Sequence, residues 1–256
     1  YQDSDQFTYG FGDATKAYDT SRVSLAQREV VYLRDIARPH PAVVVFDPVT
    51  STSASFQKRF LLHTVEQPTI QGALMVAEHG GGRLTSATVY PADAQLALVG
   101  GAGSEFLVDG TNYPFDPQGG EGDPADKGIF PGSWRLEVSP GQAATEDFFL
   151  HVLFVDDVGA AAVTASDTAR IADADAIGVQ VADWTVVFPR SSSGASSLDY
   201  VVSTGGTTKH LVAGLPAGQS VAFSVNGSSQ GTVQVGTGGC AVQELSVNAG
   251  DTVAVQ

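Results

Sequence analysis

The sequence predicts an all-β protein, a large antiparallel β-sandwich followed by a small β module. Three observations carry that expectation. The 256 residues include 29 glycines and 12 prolines, too many for a helical bundle but ordinary for strands joined by turns. Short runs of β-branched or aromatic residues recur, separated by Gly, Pro, Asp or Ser clusters at roughly 8–15-residue intervals. Hydrophobic residues make up 43% and charged residues 16%, which excludes wholesale disorder and provides for a sizeable core.

In chain order, the first group of expected strands is Val30–Leu33, Val43–Phe46, Phe60–Leu62, Leu84–Tyr90, Leu96–Val99, Glu105–Val108, Trp134–Val138 and Phe148–Val155. Each could be a buried helix segment by apolarity alone; their shortness and bounding turn residues favour strands. The segment from Asp109 to Gly132 has four prolines, several acids and no periodicity. It reads as a long loop, either a solvated insertion or a ligand rim carrying Tyr113, Phe115 and Phe130. Ala160–Ala176 is Ala-rich, but its Thr, Asp and Val content makes it a loop with a helical turn. Beyond it come small strands on Gly/Ser turns: Ile177–Phe188, Leu198–Val202, Lys209–Val212, Ser220–Val225, Gly231–Val235, Gln243–Val247 and Thr252–Val255. Asn226-Gly227 is a strong hairpin signal. The expected division is a sandwich over 1–165 and a C-terminal module over 177–256. No repeat of fixed period is present.

Thirteen basic residues against 28 acidic ones give a net charge of −15. That surface repels a phosphate backbone, so a nucleic-acid partner is not expected. No apolar run is long enough for a membrane span. The single cysteine, Cys240, precludes an internal disulfide and Cys-rich zinc modules, and reads as a small buried hydrophobe. Acidity and Ser/Thr/Gly/Ala richness fit a secreted bacterial protein. The chain opens on Tyr1 with no charged and apolar leader, as a processed or excised piece would.

No G-x-S-x-G elbow, H-E-x-x-H pair or phosphate-cradling glycine loop is present. Carboxylate pairs such as Asp156-Asp157 or Asp173/Asp175 cannot be assigned by spacing alone. The histidines say more. His63 closes Phe60-Leu61-Leu62, and His151 lies inside the run Phe148–Val155. Alternation puts Phe149, His151 and Leu153 on one face and Leu150, Val152 and Phe154 on the other, so His151 points into protein either way. A buried imidazole needs partners, and a shared metal is one way to supply them. His63, His79 and His151, brought together from separate strands, are the candidate ligands of a structural zinc; ordinary hydrogen-bonded histidines are the alternative. His40 and His210 read as exposed.

Four stretches carry a family resemblance. They are Phe7-Thr8-Tyr9 with Gly12–Tyr18; Arg28–Arg34 leading to Val43–Thr50; Lys58–Thr64 with Pro68; and Thr145–Leu153. Their order and spacing resemble the β-sandwich part of heparinase II/III-like polysaccharide lyases and their alginate-lyase relatives, over roughly the first 155 residues. The resemblance implies β-elimination on a uronate-containing polysaccharide, with Tyr and His side chains acting against a neutralised carboxylate. It implies His63 and Tyr113 as the catalytic contribution of this chain, and zinc as a structural cofactor. In that family a helical toroid precedes the sandwich and supplies most of the cleft, so a helical domain or chain is the implied partner, and this chain alone would be inactive. An acidic polysaccharide would also need a local positive patch from Lys58, Arg59, Arg83 and Arg135. The competing expectation is a non-catalytic carbohydrate-binding or cell-surface assembly module.

Overall fold

The computed structural model of the chain describes residues 1–113, 132–173, 175–190 and 197–256. Among them are 22 strands, two short 3-10 turns and no α-helix. In chain order the strands are β1 Gln2–Asp3, β2 Phe7–Asp13, β3 Val23–Leu33, β4 Ala42–Ser51, β5 Phe60–Thr64, β6 Thr69–Gln71, β7 Leu74–His79 and β8 Gly82–Tyr90. There follow β9 Gln95–Gly100, β10 Leu107–Val108, β11 Thr111–Asn112, β12 Trp134–Ser139 and β13 Glu146–Asp157. Last come β14 Thr168–Ala172, β15 Ala176–Val181, β16 Trp184–Pro189, β17 Leu198–Val201, β18 Gly206–Val212, β19 Ser220–Val225, β20 Ser228–Gln234, β21 Ala241–Val247 and β22 Thr252–Val255.

An eight-stranded sheet runs β1-β2-β3-β4-β13-β8-β7-β6, and a three-stranded one β5-β12-β9. A five-stranded sheet runs β14-β15-β16-β18-β21, and a four-stranded one β17-β22-β19-β20. The cores show how they stack. Phe148, Leu150, Val152 and Phe154 of β13 pack with Phe46 against Trp184, Val186 and Phe188 of the five-stranded sheet. On the opposite face, Phe149 joins Val45 and Met75 against Phe60, Leu136 and Val138 of the three-stranded sheet. The far side of the five-stranded sheet, with Ile171, Val187 and Val212, packs on Tyr200, Phe223 and Val253 of the four-stranded one. Four sheets thus form consecutive layers, and alternation sends successive residues of a central strand into different cores.

Trp184 couples the second and third layers. It is fully buried, meets Phe7 edge-on at 6.2 Å, and donates its indole N–H to the Asp35 carbonyl at 2.7 Å. Phe46 lies between Phe148 and Phe188, stacked on both at 6.0 and 4.7 Å. At the start of the chain the Gln2 amide grips the backbone of Cys240, accepting from its N–H at 3.2 Å and donating to its carbonyl at 3.4 Å. A Cβ on Gly238 would sit 2.6 Å from the Gln2 Cβ, so only glycine lets the two segments approach this closely.

Several expectations are corrected. Ile177–Phe188 is not one strand but the hairpin β15–β16, in which Val181 faces Trp184 across Ala182-Asp183. Ala182 adopts φ +50, a turn made without the usual Asn-Gly or Asp-Gly signal. Asn226-Gly227 does close a hairpin, with both residues at positive φ. β16 and β18 pair in parallel, a departure from the antiparallel expectation, and the intervening chain crosses through β17 in the neighbouring sheet. The Ala-rich segment does hold a helical turn, Ala165–Asp167, closed by a Thr164/Asp167 capping box, but Thr168–Ala172 is already strand. β2 and β7 escape a reading by β-propensity, because Gly10 and Gly12 interrupt the first and Leu, Met, Ala and Glu dominate the second. Glu105–Val108 shrinks to the two-residue β10. Cys240 is buried as expected, and burial pushes its thiol pKa up. Among the described residues no helix is long and apolar enough to cross a membrane.

Trp184→Ala should cost about 3–5 kcal/mol, through lost packing between two layers and the lost indole hydrogen bond to the Asp35 carbonyl. Urea unfolding followed by far-ultraviolet circular dichroism measures it; a cost under about 1 kcal/mol would mean that the layers do not depend on this contact.

Candidate functional site: a cleft on the three-stranded sheet

β5 and β12 are amphipathic in the period-2 sense. Phe60 and Leu62 of β5, and Leu136 and Val138 of β12, turn toward the large sheet. Leu61, His63, Arg135 and Glu137 alternate with them and lie on the outer face. Register places His63 opposite Arg135 and Leu61 opposite Glu137. Directly opposed residues hold their Cβ atoms about 4.5–5.5 Å apart, so His63 and Arg135 are neighbours on one surface. Gly132 fits against this point: a Cβ there would meet the His63 Cβ at 3.0 Å.

The hairpin β10–β11 forms the wall. Its Asp109-Gly110 turn has both residues at positive φ, 47° and 81°, as a two-residue primed turn requires. Glu105 accepts from the Asn112 amide at 3.3 Å, Asn112 accepts from the Phe106 N–H at 2.8 Å, and the Tyr113 N–H reaches the Phe106 carbonyl at 3.2 Å. These bonds hold Tyr113 at the rim, 63% exposed. Gln57, Arg59, Leu61, His63, Arg135, Glu137 and the hairpin enclose a cleft of about 660 Å³.

Glu137 organises its charge. It accepts from Arg135 Nε at 2.8 Å and pairs with Arg59 at 3.5 Å, while Arg135 Nη2 also donates to the Leu107 carbonyl at 2.5 Å. One carboxylate therefore positions two guanidiniums beside His63. An imidazole, a phenol, two guanidiniums and carboxylates around one opening can bind an oxyanion and move protons.

Of the expected residues, His63 and Tyr113 come together in this cleft. His63 and His79 also border a smaller hollow with Glu66, Glu78 and Arg83, in which His79 Nδ1 lies 3.4 Å from a Glu66 carboxylate oxygen. His151 is elsewhere. It is fully buried on the inner face, stacked under Phe60 with ring centroids 3.8 Å apart, while His63 points outward from the same strand as Phe60. The three imidazoles expected around zinc therefore do not converge, because odd spacing along β5 sends residues 60 and 63 to opposite faces. Among the described residues no group of three His, Cys, Asp or Glu side chains could hold a metal ion. Of the expected positive patch, Arg59 and Arg135 line the cleft, Lys58 is sealed against Asp147 at 2.9 Å, and Arg83 is committed to the carbonyls of Val158, Ala160 and Ala161. Within the acidic loop, residues 114–131, with Phe115 and Phe130, lie outside the described residues. Glu137, Gln57 and Glu105 were not anticipated as cleft residues; the alternation of Arg135 and Glu137 was the legible signal for the first.

His210, expected to be exposed, is fully buried, bonded to Tyr200 Oη through Nδ1 at 2.7 Å and to Thr208 Oγ1 through Nε2 at 2.9 Å. His40 is half-buried near Asp157. In His151, Nδ1 meets Thr88 Oγ1 at 3.3 Å, while among the described residues Nε2 has no hydrogen-bond partner. Desolvation, and to a smaller degree the Arg28 charge, push the His151 pKa from 6.5 down to about 3. Burial takes His210 from 6.5 to about 4.

Between those limits the unfolded chain holds more protons than the folded one, so stability falls as pH falls from about 6.5 toward 3. Each histidine contributes up to about 1.4 kcal/mol per pH unit to that slope. His151→Leu should flatten the slope while staying within about 1 kcal/mol of wild type at pH 8. Urea midpoints from pH 8 to pH 4 test this, and an unchanged slope in the variant would place the acid sensitivity elsewhere.

A scan against protein-family models and a search of curated proteins find no match to the chain.

Proposed function

We propose that the outer face of the three-stranded sheet binds a uronate-containing polysaccharide, and that this chain is the β-sheet side of a polysaccharide-lyase site completed by a helical domain or chain. The observation that carries the reading is the cleft itself, where His63 and Tyr113 share one opening with Arg59 and Arg135. The guanidiniums suit a sugar carboxylate, and neutralising it acidifies the adjacent C–H. In the elimination a base takes that proton, the electron pair forms a C=C bond, the glycosidic C–O bond breaks, and an acid protonates the departing oxygen. His63 and Tyr113 are the groups in the cleft suited to these transfers. Glu137 acts as a positioning residue, through the two arginines.

The charge balance limits what this chain does alone. Glu105, Asp109 and Glu137 line the cleft against Arg59 and Arg135, so attraction for a polyanion is local and salt-sensitive. A second reading, carbohydrate binding without elimination, is favoured by the same balance, because among the described residues of the cleft both guanidiniums are already paired with Glu137.

The chain should bind alginate, heparan sulphate, hyaluronan or glucuronan at low salt and form few or no unsaturated ends, followed by their ultraviolet absorbance. Tyr113→Ala and His63→Ala should each weaken binding roughly three- to tenfold, about 0.7–1.4 kcal/mol, without shifting the melting temperature. Rapid formation of unsaturated ends by the chain alone would remove the need for a partner. Absence of binding to all four polymers would remove the saccharide reading.

A further inference from the structure

A second concavity, of about 500 Å³, adjoins the cleft and shares Gln57 and Arg59 with it. Its origin is a mismatch between layers. The core beneath the three-stranded sheet draws on β4, β13 and β7 but not on β1–β3, so one face of β3 is left open beside the edge strand β5. Arg28, Asp47 and Val49 floor this wedge, Lys58, Arg59 and Phe60 form one wall, and Tyr18 stands opposite, about half exposed.

Its charge is unlike the rest of the molecule. Two exposed guanidiniums, Arg28 and Arg59, line it with the carboxylate of Asp47, in a chain with 13 basic and 28 acidic residues. The ion pairs are also oriented. Arg28 is bound through Nε and Nη2 to Asp47, at 2.7 and 2.5 Å, yet the guanidinium side chain is 55% exposed and the carboxylate 10%. Arg59 and Glu137 repeat the pattern at 41% and 14%. Lys58 is sealed with Asp147 behind the wall. The carboxylates of Asp47 and Glu137 are the deeper partners, so the guanidiniums of Arg28 and Arg59 are the charges most open to a solute at the wedge.

Cleft and wedge share a design. Each carries an exposed tyrosine, an exposed guanidinium and a withdrawn carboxylate that fixes it: Tyr113, Arg59 and Glu137 in one, Tyr18, Arg28 and Asp47 in the other. Repetition of one recognition set along a continuous groove suits a ligand that itself repeats. We propose that the wedge is a second subsite for an acidic polysaccharide, taking the carboxylate or sulfate of a further sugar unit of a chain that also occupies the cleft and passes over Arg59. This rests on the saccharide reading of the cleft, and it adds a minimum ligand length and a place for the extra units.

Calorimetry at low salt with glucuronate and alginate dimers and hexamers, and with sodium sulfate, tests it. The hexamers should bind wild type at least about tenfold tighter than the dimers, because a second subsite engages intramolecularly. Tyr18→Ala, and the pairwise replacement of Arg28→Ala with Asp47→Ala, should remove most of that advantage and leave dimer binding unchanged. Tyr18→Ala is a surface change that keeps the test usable if the pairwise variant fails to fold. Equal affinities for dimer and hexamer in wild type would overturn the second subsite, as would wedge variants that leave hexamer binding intact. Displacement of the hexamer by sulfate at the same molar concentration would mean a simple anion site and would also overturn it. If Tyr113→Ala leaves all binding unchanged while the wedge variants abolish it, the cleft reading fails and the wedge alone is the saccharide site.

Discussion

Strand β13 has no solvent-facing side over most of its length. Phe148 through Phe154, His151 apart, place apolar side chains alternately above and below the large sheet, and β4 beside it does the same with Val44, Val45 and Phe46. A sheet whose central strands are apolar on both faces must be covered twice. The three-stranded sheet is one cover and the five-stranded sheet the other. The second cover is itself two-sided, with Ile177, Val179 and Val181 facing one core and Ala176 the next, and so needs the four-stranded layer beyond it. The stack ends there, where β20 presents a polar strand of Ser, Gln and Thr to solvent.

This layering also sets where chemistry can occur. A side chain on the inner face of β5 or β12 joins the core, as Phe60 and Leu136 do, and any polar group sharing that space is isolated from water. His151 is the example: its imidazole fills a place between Phe60 and the large sheet and stays neutral. Two places where polar groups can meet a large solute are the outer face of the thin three-stranded sheet and the stretch where that sheet falls short of covering β3. The first is the cleft and the second is the wedge. Net negative charge does not prevent either from offering cations outward, because the balancing carboxylates of Asp47 and Glu137 are the deeper partners of their pairs.

Much of the strand content could be read from the sequence because two-sided burial writes itself as continuous apolar runs; Val43–Phe46 and Phe148–Val155 are the central strands. The same feature concealed the hairpin at Ala182-Asp183. With Val181 and Trp184 both buried, the run Ile177–Phe188 shows no polar break long enough to signal a turn. His63 was legible as a surface candidate only once its parity with Phe60 was fixed, and parity depends on which residue of β5 faces inward, a tertiary fact. His210 shows the converse, since Lys209 beside it is polar but alternation turns the imidazole inward to Tyr200 and Thr208. The pairing of His63 with Arg135 joins residues 72 apart in sequence through strand register, which no local pattern encodes.

The grip of Gln2 on the Cys240 backbone has a consequence for synthesis. The two residues are 238 positions apart, so β1 finds these partners only after Cys240 has emerged from the ribosome. Contacts of such separation slow folding, since a very long loop must close before they form. During translation β4 would also wait with an open edge until β13 emerges, exposed to pairing with another nascent chain. Glycines at 236 and 238 keep the late-arriving loop narrow enough to seat beside a strand already in place. β1 is thus among the last parts of this fold to be secured.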